Sequence, residues 1–168
     1  MIRCRKSLDI LIDLARRSEG KIEVVIRGRP DLNQFEDFHK SVSEARGVRF
    51  LGPYESPGDL AAMYHSVHFN WAVDMFEEGL NSSWLLPNRL YEGGAFACVP
   101  IAVETVEAGR FLERMDIGVR LKEPLALSLA EFFAELTPDH YRALEDAARA
   151  VPRSTWVCDK RDCEALVE

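Results

Sequence analysis

Apolar residues recur at helical spacing near the start of the chain. Leu8, Leu11, Ile12 and Ala15 share one face, which predicts a helix from Lys6 to Arg17. Gly20 stops it, and the β-branched run KIEVVIRG predicts a short strand closed by Gly28 and Pro30. Over residues 31–45 the spacing turns helical again, with Leu32, Phe35, Phe38 and Val42 on the inner side. VRFLG predicts a second strand, with Pro53 and Pro57 punctuating the loop beyond it. A short helix, DLAAMYHS, and a strand, VHFNWAV, come next, and the polar loop DMFEEGLNSSW leads into a helix over 87–97. VPIAV is a strand, 106–115 a helix and IGVRL a further strand. From Leu125 the pattern gives two helical segments broken near Thr137 and Pro138, and the tail holds Pro152, Trp156 and a last helix near 159–167.

Strands alternating with helices over short connections predict an α/β fold: a Rossmann-like parallel sheet with helices on both faces. The expected division is a Rossmann-like domain over 1–150 and a tail over 151–168. On such sheets ligands bind beyond the carboxyl ends of the strands, so the loops after Ile26, Phe50, Val73 and Val103 are the ones to watch. The chain has 168 residues, enough for one hydrophobic core, and 47% hydrophobic with 29% charged residues is the composition of a globular protein. A net charge of −7 argues against a general nucleic-acid surface while leaving room for a local basic pocket. No apolar run reaches the length of a membrane span, and MIRCRKSLDI lacks a signal-peptide core. Cys4, Cys98, Cys158 and Cys163 lack CxxC spacing, so neither a disulfide framework nor a zinc site is expected, and the cytoplasm is the expected compartment.

The most unusual stretch is LPNRLYEGGAFACVPIAVE, where Gly93 and Gly94 follow Glu92 inside a helical pattern. A helix-interior glycine costs about 1 kcal/mol relative to alanine, so a pair implies that something approaches the backbone closely, either a packed strand or a ligand. Pro87 suits the first helical position, and free N–H groups at a helix start suit a phosphate. Asn88 and Glu92 are four apart and share a face, where a carboxylate can accept from two adjacent sugar hydroxyls. The structural alternative is an ion pair between Glu92 and Arg89 on a solvated face. His65 and His68 have a spacing a metal could use, but no partner ligand accompanies them, and no DxD motif occurs. Cys98, beside a strand start, reads as core rather than nucleophile.

LPNRLYE followed by a proline-led apolar strand resembles the donor-site segment of GT-B glycosyltransferases, in the C-terminal domain of family 4-like members with a PNKLFE-type motif. RKSLDILIDLA, KIEVVIRG and VRFLGPYESPGDLAAMYHSVHFNWAV are similar to the flanking pieces in order and spacing, and the likeness covers most of residues 3–120. The resemblance implies the C-terminal half of a GT-B fold that binds a nucleotide-diphosphate sugar such as a UDP- or GDP-sugar. It implies transfer to a glycan or lipid acceptor with retention of configuration and without metal or other cofactor. Glu92 then stands where the ribose is held, and Lys6, helped by Arg5, where the diphosphate is contacted, so that Lys6 and Glu92 form the catalytic pair. Asn88 and Arg89 would lie near the phosphates, Gly28 at the turn of its strand, and Pro53 and Tyr54 where the base rests. Glu77, Glu78, Asn81 and Ser82 would face the transferred sugar. The sequence departs from the pattern at Trp84, where a first glutamate is usual, at Ala97-Cys98, where a glycine is usual, and at Pro100, which is one residue late.

The chain opens inside the phosphate-site segment, so the resemblance further implies an acceptor-binding N-terminal domain elsewhere, through which a membrane-associated acceptor could be reached. The tail helix, with Trp156, is expected to pack toward that domain. Alone, the domain should bind donor weakly and transfer little. Three other readings remain beside this one: a non-catalytic nucleotide-binding module, half of a sugar-nucleotide epimerase, and a dinucleotide oxidoreductase. The last is disfavoured because no GxGxxG follows a strand.

Overall fold

The computed structural model describes residues 1–158; the expected tail helix at 159–167 lies outside the described residues. Among the described residues, five short strands run β1 (Val24–Ile26), β2 (Val48–Phe50), β3 (Phe69–Trp71), β4 (Val99–Val103) and β5 (Val119–Leu121). Helix α1 (Arg5–Arg17) precedes them, α2 (Phe38–Glu44) joins β1 to β2, and α3 (Leu60–His65) joins β2 to β3. Between β3 and β4 lie α4 (Asn81–Trp84) and α5 (Asn88–Gly94); α6 (Glu107–Met115) joins β4 to β5. Helices α7 (Leu125–Glu135) and α8 (Pro138–Ala150) complete the set.

All strand pairs are parallel, and helices cover them, as expected of a Rossmann-like build. The hydrogen bonds fall into two ladders, β2–β1 and β3–β4–β5. In the first, Val24 pairs with Val48; in the second, Phe69 pairs with Val99 and Ile101 with Val119. Strand β4 is buried along its whole length, which explains why VPIAV has no polar alternation. The two ladders have separate cores that share α1. Leu14 packs with Val73, Val99 and Leu121, whereas Leu8 and Ala15 pack with Phe35, Phe38 and Val48.

Several boundaries differ from the sequence reading, each for a local reason. Residues 31–37 form turns instead of the first half of a helix. Asp31 takes the Asn33 N–H on its own carboxylate at 3.1 Å, competing with helical bonding, and Leu32 is left 59% exposed. Phe35, Phe38 and Val42 do face inward. Pro87 is extended (φ −72, ψ 143) and caps α5 from outside instead of opening it. The loop after β3 contains α4, and α5 stops at Gly94, short of 97.

The paired glycines admit the chain's own side chains. A Cβ on Gly93 would collide with the Asn70 amide, and one on Gly94 would lie 2.5 Å from the Trp156 ring. Trp156, expected to pack toward a further domain, is instead buried against that glycine and edge-on to Phe111 at 5.7 Å.

Candidate functional site

The head of α1 contacts the segments that follow both β1 and β3, at the carboxyl-end crevice where parallel sheets of this kind bind ligands. Cys4 caps the helix by accepting from the Ser7 N–H at 3.5 Å, and three cations surround the cap. Arg3 lies over the Phe76 ring at 4.4 Å, reaching the loop after β3. Arg5 lies over Phe35 at 4.8 Å and pairs with Asp37, on the segment after β1. Lys6 points to the loop after β3, donating to both carboxylate oxygens of Glu78 at 2.8 and 2.9 Å. That bond, with Glu78's charge, raises the Lys6 pKa. Both side chains are more than half exposed, so the pair adds little to stability and is open to exchange for another anion.

Helix α5 borders the same crevice and is fixed by two side chains. Asn70, buried in β3, donates to the Arg89 carbonyl at 2.5 Å. Arg89 reaches back, its Nε to the Trp71 carbonyl at 2.8 Å and its Nη2 to the Val73 carbonyl at 2.7 Å. Burial lowers the Arg89 pKa, Asp74 opposes that shift, and Cys4 and Arg3 lie within its field. Arg89 therefore ties α5 to the end of β3, within the field of the α1 head. It does not pair with Glu92, and the alternative of a solvated Arg89–Glu92 ion pair is not realised.

Glu92 instead accepts from two phenols. Tyr64 in α3 donates to Oε2 at 3.1 Å, and Tyr54, in the loop after β2, donates to the same oxygen at 3.5 Å. Near them Arg27, at the end of β1, donates to the Pro53 carbonyl at 3.2 Å and lies 3.6 Å from Asp59, while its Nε is buried without a partner.

The remaining expected residues fall as follows. Gly28 adopts φ +128 beside Ile2, and its N–H donates to the Gly52 carbonyl at 2.9 Å. Pro53 and Asn88 are exposed. Asn81 donates to Glu77 at 2.7 Å, and the Ser82 hydroxyl accepts the Glu77 N–H at 3.0 Å, so these residues brace their own loop. His65 lies edge-on to Phe96 and His68 to Tyr141, each as an aromatic packing partner. Cys98 is buried, which pushes its thiol up to about 12 and keeps it protonated at neutral pH. Tyr64, Arg27 and Arg3 were not singled out from sequence. Tyr64 lies within the predicted short helix DLAAMYHS, and no motif marks its hydroxyl.

The fold and crevice are those of a Rossmann-like α/β domain with a cationic α1 head and a carboxylate on a neighbouring helix. No protein-family model matches the chain. Over 167 residues it is 48% identical to the succinoglycan biosynthesis protein ExoL of Rhizobium meliloti (strain 1021), an alignment taking in 99% of this chain. The chain spans 41% of that relative's length.

Proposed function

We propose that this chain is the donor-binding part of a glycosyltransferase of polysaccharide assembly, with a nucleotide-diphosphate sugar as its substrate. The observation that supports the reading is the set of Lys6, Arg5 and Arg3 cations at the α1 head, with Arg3 within the field of Arg89 on α5, the helix that also carries Glu92. The relative named for succinoglycan biosynthesis, and the likeness of LPNRLYE to GT-B donor sites, support it. On this reading Glu92 accepts from the ribose hydroxyls, and Lys6 faces the diphosphate. As the bond between sugar carbon and phosphate oxygen breaks, charge grows on the departing diphosphate, and the Lys6 ammonium stabilises it. Transfer retains configuration and uses no metal, and the acceptor binds a part of the longer protein beyond this chain.

Titration calorimetry with UDP, GDP and ADP tests the proposal. One diphosphate should bind, and Glu92→Ala should weaken it about 10- to 100-fold, the worth of hydrogen bonds to a charged group. Binding unchanged in Glu92→Ala would remove the ribose assignment. Glu78→Gln should change stability by less than about 1 kcal/mol. It should also tighten diphosphate binding by freeing Lys6; weaker binding would instead assign Glu78 to ligand contact.

The occupied state of both Lys6 and Glu92 also suits a non-catalytic module. A folded chain, and a folded longer parent, that bind no diphosphate would favour that second reading.

A further inference from the structure

The two phenols on Glu92 are not equivalent. Tyr64 is 7% exposed, packs with Leu60 and Cys98, and stacks on Phe96 with ring centroids 6.1 Å apart and planes 10° from parallel. Burial, then the charge of Glu92, raises its pKa, so it remains a proton donor. Tyr54 is half-buried on a loop and makes the longer contact. Both engage Oε2, whereas Oε1 accepts no hydrogen bond from a described residue. A carboxylate oxygen has two lone-pair sites, so in this state Oε2 is filled and Oε1 is open.

We propose that Tyr64 is a positioning residue that locks the Glu92 carboxylate, and that Tyr54 is an exchangeable donor whose place on Oε2 passes to a sugar hydroxyl when nucleotide binds. This rests on the donor-site reading above. A ribose presents two neighbouring hydroxyls on one side. With Tyr64 retained and Tyr54 gone, Oε1 and Oε2 each accept one of them, and no proton changes owner. A sugar lacking one hydroxyl leaves a carboxylate site empty, which a polar site penalises strongly. The clamp therefore makes the crevice selective for ribonucleotides over 2′-deoxyribonucleotides.

The test measures calorimetric affinities of the 168-residue chain for UDP, GDP and ADP and their 2′-deoxy counterparts, in wild type, Tyr64→Phe and Tyr54→Phe. Wild type should prefer the ribonucleotide at least about tenfold, the scale of one hydrogen bond to a charged group. Tyr64→Phe should lose most of that preference while its deoxynucleotide affinity stays within about twofold, a selective change that a general loss of structure would not give. Tyr54→Phe should keep the ribonucleotide preference, whatever its effect on affinity for both ligands. Equal loss for both ligands in Tyr64→Phe, or an undiminished preference, would overturn the clamp. Wild type binding both ligands equally would overturn the clamp and leave the donor reading standing; wild type binding neither would overturn both. If Tyr64→Phe fails to fold, tyrosine ring resonances of the wild type decide the matter. Ribonucleotide should shift Tyr54 and leave Tyr64 in place, and the reverse would refute the assignment.

Discussion

Trp156→Ala is expected to lower stability by about 3–5 kcal/mol, read as a drop in the urea midpoint, because it empties a buried aromatic site. The indole is 7% exposed and lies over Gly94, with Tyr91 at 6.5 Å and Phe111 at 5.7 Å between ring centroids. Gly94→Ala approaches the same contact from the other side. Its Cβ would lie 2.5 Å from the ring, inside contact distance, and should cost about 1–3 kcal/mol through overpacking. In a Trp156→Ala background the added methyl has room, so the Gly94→Ala cost should vanish there. A coupling of that size is the signature of two residues sharing one contact. If Gly94→Ala costs the same in both backgrounds, the glycine serves something other than the indole.

Arg89→Met is expected to cost about 2–4 kcal/mol, because two carbonyls at the end of β3 lose a charged donor and keep no partner. The methionine stem retains much of the packing, and removing a buried charge offsets part of the loss. Arg89→Lys should rescue little, since a single ammonium cannot reproduce a two-pronged bond to the Trp71 and Val73 carbonyls. Chemical denaturation of the two variants checks this. A fully stable Arg89→Met chain that had lost only nucleotide affinity would move Arg89 from scaffold to ligand contact.

Much of the architecture was legible from apolar spacing. The predicted strand segments each contain one of the strands β1 to β5, and VPIAV coincides with β4 at both ends because a fully buried strand has no ambiguous polar edge. Residues 31–37 were misread because the period of Leu32, Phe35, Phe38 and Val42 is helical, while the Asp31 side chain diverts the backbone into a turn. The glycine pair was correctly read as a point of close approach. What approaches was not legible, since Asn70 and Trp156 reach those glycines only through the fold. The same holds at the crevice. Glu92 and Lys6 stand out in local motifs, but Tyr64 carries no local signature, and Glu78, expected to face the sugar, pairs with Lys6 only through the fold.

Helix α1 belongs to two cores at once, through Leu14 on one side and Leu8 and Ala15 on the other. Among the described residues the two ladders share no strand pairing, and side-chain contacts hold both on α1. Directional bonds resist sliding, whereas packed apolar faces yield through small rotamer changes. The fold is therefore most compliant along the seam where Lys6 and Arg5 sit, and stiff on either side of it. A molecule drawing the two halves together would work against packed apolar faces and a few side-chain hydrogen bonds, such as that from the Trp71 indole to the Ser7 hydroxyl, and α1 would serve as the pivot.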